Sequence, residues 1–333
     1  MINREIIRIK IVQLTYAYYQ NGNKNIDSAE KELFFSLSKA YDLYNYLLAL
    51  IVAVTKEAGR RFEVAQARAR REGLPEPSQK FVFNRFALIG GMPEAVADYA
   101  QYQDIERLSP IFNSLLKGYN EDVERYAKNE EQVRIIRHIL DTAWLSAAES
   151  ITFANFGGSS YSSTQIHEAM DCLERAYILS LDYPVTSSDI PAIPSKRRSP
   201  KLIMVDSGIT NFVSGIQIEY LQNKELLDTW RGRAAEQIVA QELRVLLDRN
   251  YKEHQYYWVR DKKGTTSEID FVWQASNQII PVEVKAGTNS HLRSLHSFVN
   301  TASHPVTAIR FWSGEFFVQD ASTPAPDNKP YRL

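Results

Sequence analysis

Cysteine is nearly missing from this chain of 333 residues, with Cys172 standing alone. No intramolecular disulfide can form, and no cysteine-rich zinc cluster can be assembled. Also missing is any uncharged apolar run of the ~18 residues that a membrane span needs, so no membrane partner is expected. Residues Met1–Lys10 interrupt their isoleucines with Arg4, Glu5, Arg8 and Lys10, whereas an export signal needs a charged start and then an unbroken apolar stretch. A reducing cytoplasm is the expected compartment. An excess of one charge is lacking too: 39 Lys and Arg against 40 Asp and Glu leave a net charge of −1, which excludes a uniformly basic nucleic-acid binder. Nowhere is a glycine followed by Lys and Ser or Thr as in a phosphate-binding loop. The pair Gly90-Gly91 is therefore expected to make a turn before a helix, and this chain to hold no ATPase site.

What is present is ordinary globular sequence, 44% hydrophobic and 24% charged. Its length exceeds the ~250 to 300 residues at which single cores stop growing, so at least two units are expected. Charge is unevenly spread, with 14 Lys and Arg against 9 Asp and Glu in residues 1–85. Such an excess suits either a phosphate-facing surface or a solvated helix face. Ile6, Ile7, Ile9, Val12, Leu14 and Tyr16, then Leu33 to Val54, recur at helical spacing. Asn21-Gly22-Asn23 separates two helices, Asp27 and Ser28 offer caps for the second, and Gly73-Leu74-Pro75-Glu76-Pro77 ends a third segment.

The middle reads as a helix over Glu131–Ser150, a Gly-Gly turn within Asn155–Ser160, and a second helix from Ser163 or Thr164 to Arg175, capped by Ser162 or Ser163. A strand over Ala176–Tyr183 follows, then a Pro- and Ser-rich loop holding Lys196, Arg197 and Arg198, then a returning strand over Lys201–Val205. Helix, helix, hairpin with a basic tip is the order of a winged helix, which lays its second helix in a major groove and its wing on phosphates. Many such modules only join domains or bind proteins, so both uses stay open. From Glu225 the pattern is mixed. A helix over Asp228–Leu247 contains Glu236; strands are expected over Tyr256–Val259, Ile269–Gln274, Gln278–Val284 and Ala308–Trp312, with a helix over Leu292–Val299.

The sharpest local signal is Glu268-Ile269-Asp270-Phe271-Val272 followed by Pro281-Val282-Glu283-Val284-Lys285. Alternate residues of a strand share a face, so Glu283 and Lys285 emerge together, and a neighbouring strand brings Asp270 beside them. Two carboxylates so placed can hold Mg²⁺, with waters completing the octahedron. The ion polarises a phosphodiester oxygen and lowers the pKa of a bound water, and a lysine ammonium positions that water or offsets charge. Asp270 and Glu283 are the candidate metal ligands, Lys285 and Glu236 the candidate catalytic partners. A helical Glu, a strand Asp and then Glu-x-Lys is the order of PD-(D/E)XK nucleases, although Glu-x-Lys alone is common on solvated strands.

Two wider resemblances rest on longer stretches. Met1-Ile2-Asn3-Arg4, Val12 to Tyr19, Glu30 to Tyr44 and Lys80 to Phe86 resemble the N-terminal half of NusB transcription antitermination factors. That likeness implies RNA contacts at Arg4, Arg8 and Lys10. Leu88 to Val96, Lys201 to Ile209, Gly232 to Glu236, Glu268 to Phe271 and Val282 to Gly287 resemble, in order, the C-terminal region of a family of prokaryotic AAA+ type ATPases. It implies a winged helix followed by a PD-(D/E)XK-like domain, normally downstream of an ATPase module that here has no counterpart and would act in trans. The expected fold is α+β and multidomain, a chimera of a truncated NusB-like helical segment (1–86), a helical region with winged helix (87–215) and an α/β nuclease-like domain (216–333). The expected function is DNA binding with a Mg²⁺-dependent nuclease-like centre. A non-catalytic DNA-binding or interaction module is the alternative, and RNA-binding antitermination a third reading.

Overall fold

The computed structural model describes residues 85–217, 228–246, 255–261, 267–275, 278–285, 292–312 and 317–333, together with short runs between 11 and 73. The chain divides into two compact units, residues 1–79 and 80–333. In the first, the described residues are helical at 11–13, 15–16, 18–19, 27–28, 30–35, 63–64 and 66–72. Asp27 and Ser28 lie inside a helix rather than ahead of it. Gly73 turns left-handed at φ 66°, the conformation that commonly ends a helix and that glycine adopts without penalty. Val12, Tyr16, Tyr19, Phe34 and Phe35 are exposed. Arg4, Arg8 and Lys10, the Asn21-Gly22-Asn23 break and Leu47 to Val54 lie outside the described residues.

The second unit is mixed α and β, as expected. Its described helices are α1 (Pro93–Tyr102), α2 (Ser109–Tyr126), α3 (Glu130–Thr142), α4 (Ser163–Arg175), α5 (Ser207–Val213), α6 (Asp228–Leu246) and α7 (Arg293–Thr301). Its strands are β1 (Glu149–Ser150), β2 (Leu179–Asp182), β3 (Pro184–Val185), β4 (Lys201–Met204), β5 (Tyr256–Val259), β6 (Glu268–Ala275), β7 (Gln278–Lys285), β8 (Val306–Thr307), β9 (Ile309–Trp312), β10 (Asp320–Ser322) and β11 (Pro330–Arg332). They form three sheets, ordered β1-β4-β2, β10-β11-β8 and β3-β5-β6-β7-β9.

Helices α3 and α4 form where local signals agree. The Asn129 side chain accepts from the Gln132 amide at 2.8 Å while Gln132 Oε1 accepts from the Lys128 amide at 2.7 Å, so two orphan donors of the helix start are satisfied. Ser162 and Gln165 make the reciprocal capping box on α4. Ile135, Ile136, Ile139 and Leu140 then face Ile166, Ala169, Met170 and Leu173 in one core that also takes in Leu88, Leu108, Phe112 and Trp144. Cys172 is buried in that core.

Expected as one helix to Ser150, the chain instead leaves α3 at Thr142 and makes a 3₁₀ turn over Ala143–Ser146. The turn buries Trp144, and Ala148, at φ 61°, aims its amide at the Leu202 carbonyl, 2.7 Å away. Tertiary pairing overrides helix propensity here. Likewise the strand expected from Ala176 begins only at Leu179, because Tyr177 turns left-handed at φ 59°.

The largest departure concerns the loop after β2. Expected as a free basic wing, it opens with β3, which pairs in parallel with β5 at the edge of the five-stranded sheet and buries Val185 completely. Pro194 returns to bridge Val185, and the Ala192 amide donates to Gln274 Oε1 at 3.0 Å. Burying Val185 beside Trp258 and Ile269 outweighs the solvation of an extended tip.

Helix α6 ties the same region together. The Gln237 side chain accepts from the Met204 amide at 3.1 Å and donates to the Met204 carbonyl at 2.6 Å, standing in for a strand beyond the short β1. Gln241 donates to the Val205 carbonyl at 2.9 Å. Gly90, at φ 74°, and Gly91 form the turn before α1, where the Asp206 carboxylate accepts from the Gly91 amide at 2.7 Å and the Ile209 amide at 2.9 Å.

Candidate metal centre

Strands β6 and β7 pair antiparallel with Phe271 opposite Val282, and one position further along stand Asp270 and Glu283. Phe271, Val282 and Val284 pack with Ile203 and with Val239, Ala240 and Leu243 of α6. That apolar contact fixes the strand ends from which the polar groups project. Asp270 Oδ2 accepts from the Val284 amide at 2.7 Å. Glu283 is 3% exposed; its Oε1 meets Lys285 Nζ at 2.5 Å, and its Oε2 is buried without a hydrogen-bond partner.

A second lysine, missed by sequence reasoning, enters from a different sheet. Lys201 is the first residue of β4, held between Ser150 and Asp182 in register. Its side chain is 2% exposed, and its Nζ lies 3.0 Å from Glu268 Oε1, 3.2 Å from Glu236 Oε2 and 3.9 Å from Asp270 Oδ1. The rings of Tyr257 and Phe271 stand 5.4 Å from the same ammonium. Glu268 was visible in the sequence only as a neighbour of Asp270. Lys201 gave no local signal, since its partners lie 35 to 69 positions away.

Electrostatics follow from burial. Glu236 is pushed up to about 7, chiefly by burial and against the pull of Lys201. Glu283 also rises to about 7, by burial and then by the charge of Asp270. Asp270 is raised by burial, while Lys201 and the Val284 amide work the other way. Burial acts to lower the Lys201 ammonium, but Glu236, Glu268 and Asp270 together hold it above its ordinary value. Glu236 and Asp270 thus share the Lys201 ammonium while Glu283 has Lys285, and the titrations of these three carboxyls belong to the group rather than to single residues.

Whether these donors suit Mg²⁺ turns on their chemistry and number. Among the described residues, no three His, Cys, Asp or Glu side chains converge closely enough to hold a metal ion. Two carboxylates remain available, Asp270 and the orphaned Glu283 Oε2, and Mg²⁺ is commonly held by one or two carboxylates with waters in the other positions. The set fits that mode and not an all-protein cage. Ala286 and Gly287, which follow Lys285, lie outside the described residues.

The basic residues expected on the wing are divided. Lys196 and Arg197 are exposed in a turn, with Lys196 Nζ 5.9 Å from the Tyr183 ring. Arg198 instead pairs with Asp261 at 2.6 Å. On α4, Glu168 is exposed and Asp171 is half-buried beside His167, while Glu174 turns inward to accept from the Leu181 amide at 2.9 Å; the two outward acids disfavour phosphates there.

Fold and site together define an α+β unit with a buried acidic centre built around a lysine. Comparison with known families divides that unit in two: a family described as "Domain of unknown function (DUF8612)" matches residues 81–219, and one described as "Domain of unknown function (DUF4143)" matches residues 231–316. The first begins where the second compact unit begins and contains Lys201; the second contains Glu236, Asp270, Glu283 and Lys285. DUF4143 is typical of proteins associated with AAA-type ATPases, in keeping with the C-terminal resemblance. No curated protein and no solved structure matches the chain. Among the described residues, no helix is long and apolar enough to cross a membrane.

Proposed function

We propose that the region around β6 and β7 is a Mg²⁺-dependent nuclease-type centre of the PD-(D/E)XK kind acting on DNA. The observation that carries this reading is the buried, unpartnered Glu283 Oε2 beside Asp270, with the Lys285 ammonium on the other oxygen of the same carboxylate. When bound to Asp270 and Glu283, Mg²⁺ supplies a polarised phosphodiester oxygen and a water of lowered pKa. Lys285, fixed by Glu283, orients that water and offsets negative charge on the phosphate. The Val284 amide fixes one oxygen of the Asp270 carboxylate. Glu236, with Oε2 taken by Lys201, acts on the centre through that ammonium. Helices α3 and α4 with the β1-β4-β2 sheet support a winged-helix reading of the preceding segment. The outward Glu168 and Asp171 of α4 favour a joining role for it, leaving Lys196 and Arg197 to meet phosphates.

Plasmid cleavage tests the reading. The wild-type chain is expected to nick supercoiled DNA with Mg²⁺ and to stop when EDTA is added, while Asp270→Ala loses at least about 100-fold in rate, the scale of removing one electrostatic stabiliser. Equal cutting by both chains, or no cutting by either, would sink it.

A further inference from the structure

Three carboxylates, with the Glu268 side chain 38% exposed, gather on one buried ammonium, which raises the question of which cation the knot is built for. The N···O distances around Lys201 Nζ, 3.0 and 3.2 Å to Glu268 and Glu236, are within the ordinary range of N–H···O hydrogen bonds. They are about 1 Å longer than the ~2.1 Å of a Mg²⁺–oxygen bond. The lysine has little freedom to leave: its backbone is paired on both sides in β4, and its head lies near the Tyr257 and Phe271 rings. Glu283 Oε2, by contrast, is buried with no hydrogen-bond partner, so the acidic centre has one side compensated by an ammonium and one oxygen that is not.

We propose that Lys201 is a built-in cation of this centre, occupying among Glu236, Glu268 and Asp270 the position a second divalent ion would otherwise take, and confining metal to the Asp270 and Glu283 side. The part concerning the Asp270 and Glu283 side rests on the nuclease reading above; the part concerning Lys201 rests on its own contacts. The assignment makes Lys201 a positioning residue and makes the centre a one-metal site by construction. Removing the ammonium while keeping the stem, as in Lys201→Met, leaves three carboxylates facing a gap. An inward shift of about 1 Å by Glu236 and Glu268, and of about 2 Å by Asp270, then brings their oxygens to ligand distance.

The test counts ions rather than turnover. Mn²⁺ is titrated into the full chain and free Mn²⁺ is read by electron paramagnetic resonance. Lys201→Met is expected to bind one more ion per chain than wild type, and Lys201→Arg, which keeps the charge, to bind no extra ion. Equal counts for wild type and Lys201→Met, or a gain in Lys201→Arg, would overturn the proposal. If Lys201→Met folds only when Mn²⁺ is present, the metal has replaced the ammonium and the proposal stands. If it folds in neither condition, the chain carrying both Lys201→Met and Glu236→Gln has one carboxylate fewer to repel and is titrated instead, with a gain again expected and its absence decisive. Failure of the nuclease reading shows separately, as absence of plasmid cleavage, whatever the count of ions gained.

Discussion

Gly208→Ala is expected to unfold the second unit or to leave it barely stable, although it adds one methyl group. A Cβ on Gly208 would fall far inside van der Waals contact with the Ile89 carbonyl and within 2.8 Å of the Gly90 amide. All of these are backbone atoms and cannot swing aside. Gly90 is itself left-handed, and its own Cβ would collide with the Asp206 carboxylate. Relief therefore means separating residues 88–91 from the start of α5, which breaks the Asp206 bond to the Gly91 amide and the Asn211 and Gln217 bonds to the Ala87 and Leu88 carbonyls. Overpacking and lost buried hydrogen bonds together place the cost at more than about 4 kcal/mol, against a typical total of ~5 to 15. Urea unfolding followed by circular dichroism measures it. Gly118→Ala is the control: Gly118 lies inside α2 with open space around it, so alanine there should stabilise by about 0.5 to 1 kcal/mol. A Gly208→Ala chain that unfolds at the wild-type midpoint would refute this account of the contact.

The pH dependence of stability is expected to change most with Asp182→Asn. Asp182 is 1% exposed, accepts from the Ser180 hydroxyl at 2.8 Å and leaves Oδ2 without a partner. Burial pushes it from 3.8 up to about 7. Between those values the folded chain keeps a proton that the unfolded chain gives up. This contribution to stability is therefore complete below pH 3.8, declines as pH rises, and is gone above about 7. The ceiling is about 4 kcal/mol, from ~1.36 kcal/mol for each pH unit of the window. Asparagine does not titrate, so the stability of the variant relative to wild type should climb by about 2 to 4 kcal/mol between pH 4 and pH 8 and then level off. A difference that is flat with pH would show that Asp182 stays ionised in the folded chain.

Much of the fold was legible because its signals are local. The cap at Ser162 and the alternation through Val282, Glu283, Val284 and Lys285 each sit within one element. What escaped depended on partners far along the chain. Thr142 ends its helix because Ala148 must reach Leu202, and Pro184-Val185 is a strand only because β5 offers an edge. The candidate centre divides in the same way. Glu283 and Lys285 were paired by strand alternation, whereas Lys201 reads in sequence as an ordinary polar strand start. Only β4 lying against α6, through Gln237 on Met204, carries its side chain into the carboxylates.

The placement of Lys201 also sets an order of assembly. A ribosome delivers the lysine before it delivers Glu236, Glu268, Asp270 or Glu283, and β4 completes its pairing with β1 and β2 from residues already made. Glu236, Glu268 and Asp270 thus have a counter-charge already made, and Glu283 has its own in Lys285, two residues later. Four carboxyl groups never have to be gathered bare from water, where each would have to lose its hydration with no cation to compensate. A polypeptide still in synthesis accordingly lacks a finished acidic centre until Lys285 has emerged.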